Sequence, residues 1–256
     1  MSFWWSYTVL NLVQSFTEFL PISSSSHLLL LKNYLGITEA DYLVAVLHFP
    51  TVLAVALFFF KDWLEIVKTP KKWPIIAVSF VPAGIVGFFL KDFITTYLDN
   101  NLVIGLNQLI WGVIFVLFNK VFKEAGEKSE EDLSLKQAFY IGIAQVFSLI
   151  PGTSRSGITM FAGVMLGLNS KVSARFSLMS GLPLTAAAAL LGIKNLISEK
   201  SLFVSEWQVI LIGSLLSLLL SLVFIKMLLS RKIDLVYKIS GFYRILLGLF
   251  ILIISL

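Results

Sequence analysis

Gln14-Ser15-Phe16-Thr17-Glu18-Phe19-Leu20-Pro21-Ile22-Ser23-Ser24-Ser25-Ser26-His27 interrupts one long apolar run, and Pro151-Gly152-Thr153-Ser154-Arg155-Ser156-Gly157 interrupts another half a chain later. Hydroxyls, a carboxylate, an imidazole and a guanidinium stand in these two segments, while their flanks read as lipid-buried. Ionisable groups at membrane depth are costly and persist there mainly where they serve a function. The two insertions therefore predict a polar site inside a membrane, with residue types that suit a phosphate ligand.

The surroundings agree. The chain of 256 residues is 57% hydrophobic and 14% charged, with mean hydropathy +0.89. A soluble domain carries about 25% charged residues. Apolar stretches of spanning length cover roughly residues 42–60, 74–90, 102–119, 172–193, 207–225 and 239–256. Each is close to the ~20 residues that cross a ~30 Å hydrocarbon core as a helix. Two stretches do not fit. Between Lys136 and Lys171 the one charge is Arg155, and that stretch is too long for one span and short for two plus a turn. Met1–Leu31 has the same character, broken at Pro21 and the serines. Both read as re-entrant hairpins, a half-helix in and a half-helix back, whose irregular backbone must be buried in protein or line a cavity.

The halves resemble each other. Gln14, Pro21-Ile22-Ser23-Ser24 and Leu35-Gly36 are echoed by Gln145, Pro151-Gly152-Thr153-Ser154 and Leu166-Gly167. The expected fold is an all-α integral membrane protein. It is a polytopic bundle of about six full spans plus two re-entrant helical hairpins, in an inverted-topology repeat. The first repeat covers 1–122, a charged linker 123–135 and the second repeat 136–256. Such repeats place a site at their interface near the midplane.

Charge sets the orientation. Segments 61–73, 120–136 and 226–238 are rich in lysine and arginine, while 91–101 and 194–206 are not. The positive-inside rule then puts the first three on the cytoplasmic side and both termini outside. The expected location is the plasma membrane, with multiple passes. The net charge of +5 therefore marks loops and gives no indication of nucleic acid. Met1–Val13 has no basic n-region or cleavage motif, so a cleaved signal peptide is not expected. Cysteine is absent, which excludes disulfides and thiolate metal sites.

Among 15 acidic residues only Glu18 lies well inside an apolar stretch, and Arg155 is expected to be the one deeply placed arginine of four. The alternative to a functional pair is an ion pair that merely joins the two halves. Gln14 and Glu18 are spaced i, i+4 and share a helical face. Their oxygens could meet a ligand or a hard cation such as Mg²⁺. Ser23, Ser24, Ser25 and Ser26 precede Leu28–Leu31, and Thr153, Ser154, Arg155, Ser156 and Gly157 precede another apolar helix. Each set reads as a half-helix N-terminus, an anion site. Gly152 and Gly157 permit tight turning, and Arg155 can grip phosphate bidentately. His27 is a candidate acid, base or nucleophile. His48, beside Pro50 in a span, reads as structural. No Walker A loop occurs.

These motifs resemble the polyprenyl (undecaprenyl) pyrophosphate phosphatase family, the bacitracin-resistance proteins. The family pattern [E/Q]-x-x-x-E followed by P-x-S-S and a histidine is met by Gln14, Glu18, Pro21, Ser23, Ser24 and His27. The pattern P-G-x-S-R-S-G-x-T is met by Pro151–Gly157 with Thr159, and a Tyr243-Arg244 pair follows near the C-terminus. The resemblance implies hydrolysis of a polyprenyl diphosphate to the monophosphate and inorganic phosphate, recycling the lipid carrier of envelope glycan synthesis. It implies a divalent cation, Mg²⁺ or Ca²⁺, and a site open to the outer face, and it leaves a homodimer open. Two departures stand out. Gln14 takes the less acidic option, and the family's F-E-V-x-I-Q-x-G stretch reads Leu43–Pro50, with His48 in place of glutamine.

In this reading Glu18, Ser24, His27 and Arg155 carry the chemistry. Ser23, Ser25, Ser26, Gly152, Thr153, Ser154, Ser156, Gly157 and Thr159 bind substrate, and Gln14 with Glu18 holds the metal. Ser24, His27 or an activated water could attack. Two other functions compete. A flippase for polyprenyl phosphate could use the same site without a nucleophile. A PAP2-type phosphatase would need P-S-G-H and K-x₆-R-P motifs, which are missing.

Overall fold

The structure, a computed structural model, describes residues 3–36, 41–120, 126, 133–198 and 204–255. Most of the charged linker expected at 123–135, including its five acids, lies outside the described residues. The described regular elements are eleven α-helices: α1 Phe3–Thr17, α2 Ser24–Leu35, α3 Asp41–Phe58, α4 Phe60–Lys68, α5 Trp73–Phe93, α6 Asn101–Leu117, α7 Leu135–Phe147, α8 Arg155–Met165, α9 Ser170–Ser198, α10 Val204–Ser230 and α11 Ile233–Ile254. A 3₁₀ turn, Pro70–Lys72, and a π turn, Ile94–Leu98, flank α5.

The protein is an all-helical membrane protein. Among the described residues, four helical stretches are long and apolar enough to cross a bilayer: Pro70–Leu98, Ser170–Asn195, Trp207–Ser230 and Ile233–Ile254. Val46–Phe58 and Asn101–Leu117 are shorter apolar helices. Each expected span falls on one helix, with ends shifted by a few residues. The largest shift is in α11, which begins six residues ahead of the apolar run. By contrast α1, α2, α7 and α8 have 15, 12, 13 and 11 residues. At 1.5 Å per residue they are about 16–22 Å long, short of a ~30 Å core.

The segment 61–73, expected as a charged loop, contains an amphipathic helix. On α4, Trp63 and Ile66 pack on the core while Phe60, Leu64 and Val67 are exposed. Asp62 accepts from Arg175 of α9 at 2.7 Å and so ties α4 to the bundle.

Helix packing runs between distant parts of the chain. α6 lies against α11, α3 against α9, α1 against α10 and α5 against α7; α3 also meets α10, and α5 meets α9. The α6–α11 seam is the tightest. A Cβ on Gly112 would sit 2.9 Å from the Gly241 carbonyl, and one on Gly248 would sit 2.8 Å from the Gly105 carbonyl. In lipid, transfer from water does not drive helix association, so backbone approach through small residues and polar contacts between helices take over. The outer faces are apolar, as at Phe88, Phe89, Leu211 and Leu246. The interior is unusually polar: Gln14, Ser15, Ser26, Gln108, Gln145, Ser177, Ser180 and Arg244 are fully buried.

Candidate active site

Two breaks in helix make the site. α1 ends at Thr17 and α2 starts at Ser24; α7 ends at Phe147 and α8 starts at Arg155. The residues just ahead of α2 and α8 share one unusual backbone: Ser23 has φ 70, ψ 100 and Ser154 has φ 71, ψ 105. They are the non-glycine positive-φ residues among the described residues. Such conformations cost about 1–3 kcal/mol each and persist where the surroundings over-determine them.

The surroundings here are α6 and α11. Gln108 donates to the Ile22 carbonyl at 2.9 Å, and Asn107 donates to the Pro151 carbonyl at 3.0 Å. Arg244 donates to the carbonyls of Pro21 at 3.2 Å, Gly152 at 2.6 Å and Asn107 at 3.4 Å. Thus α6 and α11 each hold both breaks. Buried side chains satisfy the carbonyls that the missing helical turns leave open. Gly152, at φ 90, has no room for a side chain: a Cβ would lie 2.9 Å from the Ile104 carbonyl.

This corrects the expectation that Arg155 is the one deep arginine. Arg244 is fully buried, whereas the Arg155 side chain is 14% exposed. The early start of α11 is the reason: Arg244 falls mid-helix rather than near an end. Its guanidinium lies 5.4 Å from the centre of the Phe115 ring.

Glu18 lies at the centre. Its Oε1 accepts from Arg155 Nη2 at 2.8 Å, and its Oε2 accepts from Ser24 Oγ at 2.8 Å and Gln14 Nε2 at 3.0 Å. The carboxylate therefore bridges the two breaks. Ser24 and Arg155, each the residue after a strained serine, sit on opposite oxygens. His48 Nε2 is 3.7 Å from Glu18 Oε2, so this histidine of α3 stands at the site rather than serving only its helix.

His27 lies one turn beyond Ser24 on α2. Its Nδ1 pairs with the Ser23 carbonyl at 2.7 Å and its Nε2 with the Tyr243 hydroxyl at 2.6 Å. The serines divide the work. Ser26 donates to Ser23 Oγ at 3.1 Å, Ser23 and Ser25 hydroxyls lie 3.0 Å apart, and the Gly152 N–H reaches Ser25 Oγ at 3.4 Å. Ser154 caps α8 by accepting from the Gly157 N–H at 3.2 Å, while the Ser23 hydroxyl makes no such cap. Ser156 donates to the carbonyls of Glu18 and Leu20, both at 3.2 Å. Thr159 pairs with the Arg155 carbonyl at 2.8 Å and with Ser177 Oγ at 2.5 Å. Ser156 and Thr159 thus spend their hydroxyls joining elements. Gly157 is walled in by Pro21 and Phe115.

Gln14 Oε1, Thr153 Oγ1 and Arg155 Nε are buried without a protein partner. Orphaned polar atoms in a charged site point to a ligand. Among the described residues no cluster of three His, Cys, Asp or Glu forms. For a hard cation the protein offers the Glu18 carboxylate and the Gln14 amide oxygen. That is an oxygen donor set of the right kind but incomplete, so diphosphate and water would supply the rest.

Three residues escaped the sequence reading. Arg244 and Tyr243 carried no signal beyond the family pattern, because their partners are backbone carbonyls and a histidine 216 positions away. His48 had a signal: it stands where the related pattern has glutamine.

The fold and the site together define a helical membrane protein with a charge-paired polar centre built on two helix breaks. The model of one family, described as bacitracin resistance protein BacA, matches residues 7–250. The chain belongs to that family. It is 35% identical over 252 residues to an undecaprenyl-diphosphatase of Aquifex aeolicus, covering 96% of each chain. It is 34% identical over 251 residues to one of Sulfurovum sp., covering 96% of this chain and 97% of the relative. It is 30% identical over 259 residues to undecaprenyl-diphosphatase 1 of Clostridioides difficile, covering 95% and 93%.

Proposed function

We propose that this chain is an undecaprenyl-diphosphatase, hydrolysing the lipid diphosphate to the monophosphate and inorganic phosphate and so recycling the envelope lipid carrier. The observation that carries the site assignment is the Glu18 carboxylate, shared between Ser24 of one break and Arg155 of the other. Ser24 Oγ passes its proton to Glu18 and attacks the terminal phosphorus. The bridging P–O bond breaks and the polyprenyl monophosphate leaves. Water then cleaves the phosphoserine, releasing phosphate and restoring Ser24. Spread negative charge must be stabilised throughout, which is most of the catalytic task in phosphoryl transfer. Arg155 and the N-termini of α2 and α8 fill that role. Gln14 and Glu18 would hold Mg²⁺, which supplies charge neutralisation when bound.

The proposed architecture is six spans, α3, α5, α6, α9, α10 and α11, with two re-entrant hairpins, α1–α2 and α7–α8. Three observations support an inverted repeat. The hairpin helices are too short to span. Ser23 and Ser154 have the same backbone, and Gly36 and Gly167 both have positive φ. Exchanging the halves converts α1–α10 packing into α7–α5 and leaves α3–α9 and α6–α11 paired with themselves. Loop charge supports both termini lying outside, and the family resemblance implies a site open to the outer face.

Phosphate release from a C55 prenyl diphosphate, by the purified protein with and without EDTA and beside Arg155→Ala, tests the proposal. Release that needs a divalent cation and is lost in the variant is expected. No release by folded wild-type protein would sink the phosphatase reading and favour lipid movement through the same site.

A further inference from the structure

We infer that Tyr243 is a positioning residue of this site, holding the His27 imidazole in one tautomer and one orientation through its hydroxyl. The inference rests on the phosphatase reading above and adds His27 to it, as the candidate acid or base one turn beyond Ser24.

The Ser23 carbonyl can only accept, so the 2.7 Å contact places a proton on His27 Nδ1. A neutral imidazole then has its lone pair on Nε2, and the Tyr243 hydroxyl, 2.6 Å away, donates to it. One ring nitrogen is fixed by the residue just ahead of its own helix and the other by α11, so rotation of the ring is arrested at both ends. The two rings are also parallel, at 4° with centroids 5.6 Å apart. Tyr243 contributes little to the core, being 40% exposed. The next residue, Arg244, is fully buried and clasps the carbonyls of Pro21 and Gly152. Consecutive residues of α11 therefore register the two backbone breaks and the histidine beside them. The Ser23 carbonyl fixes the tautomer, and the Tyr243 hydroxyl holds Nε2, the nitrogen that meets a proton or a phosphate oxygen, in place until substrate takes over its lone pair.

Tyr243→Phe keeps the ring and removes the hydroxyl. In full-length protein, with C55 prenyl diphosphate as substrate, kcat should fall about tenfold, the scale of one hydrogen bond to a positioned group. KM should stay within about twofold. In a His27→Ala background the same change should have no further effect, because the residue it acts through is gone. Wild-type kcat in Tyr243→Phe, or a full tenfold loss on top of His27→Ala, overturns the inference while leaving the phosphatase reading intact. Full activity of His27→Ala removes His27 from the reaction and Tyr243 with it. A measurement without any variant is available because the chain has 2 histidines. In ¹⁵N-histidine-labelled wild type, His27 should show a protonated Nδ1 and a bare Nε2; the reverse tautomer overturns the inference even if the Phe variant fails to fold.

Discussion

The break before α2 and the break before α8 have almost the same backbone and opposite chemistry. Ser23 and Ser154 match within a few degrees. Yet the first break supplies the acid Glu18, the hydroxyl of Ser24 and, one turn on, His27. The second supplies Arg155 and a set of hydroxyls turned to scaffolding. The difference teaches that the shape of such a turn and its reactivity are separable. Shape is imposed from outside, by Asn107, Gln108 and Arg244, whereas the chemistry on offer differs with the side chains each break carries, Glu18, Ser24 and His27 at the first and Arg155 at the second.

Exchanging those side chains should give the largest effect. Arg155→Ser makes the second break resemble the first, and turnover should fall at least about 10³-fold, the scale on which an arginine acts in phosphoryl transfer. An assay of phosphate release checks it, and retention of activity would mean that the two breaks are chemically interchangeable. Ser24→Ala should cost about 10²–10⁴-fold if its hydroxyl attacks. Rapid-quench trapping of labelled phosphoserine in the wild type sharpens the point, since an unlabelled chain would hand the attack to water.

Stability effects come next. Arg244→Met strips a donor from carbonyls in both breaks at once. A buried polar group left unsatisfied costs about 1–3 kcal/mol, so a clear fall in Tm should accompany loss of activity. An unchanged Tm would show that the breaks hold their shape without α11. The smallest effects separate two glycines of positive φ. Gly152→Ala meets the Ile104 carbonyl as well as an unfavourable φ and should cost about 2–3 kcal/mol. Gly36→Ala, with open space around its Cβ position, should cost about 1 kcal/mol. Thermal unfolding in detergent compares them, and equal losses would show that crowding at the second break is unimportant.

The sequence announced much of this, for physical reasons. A hydrocarbon environment makes polar residues conspicuous, so Glu18, the serines and Arg155 stood out. Long apolar runs located α3, α5, α6, α9, α10 and α11. What escaped were relations rather than residues. Arg244 looked peripheral because the apolar run begins after the true start of α11, and its carbonyl partners leave no trace in side-chain identity. Ser156 and Thr159 looked like ligand contacts, but a hydroxyl beside a helix start can equally donate to a neighbouring carbonyl, and here both do. His48 was read by its flanks, while its position near Glu18 comes from how α3 packs on α1.

The shared carboxylate has a consequence for symmetry. Two identical polypeptides meeting about a twofold axis would present the same residue after each strained serine, two hydroxyls or two guanidiniums. One Glu18 with Ser24 on one oxygen and Arg155 on the other cannot arise between equals. Two arms that differ in sequence are therefore a condition for this arrangement, one offering the hydroxyl and the other the guanidinium to the same carboxylate.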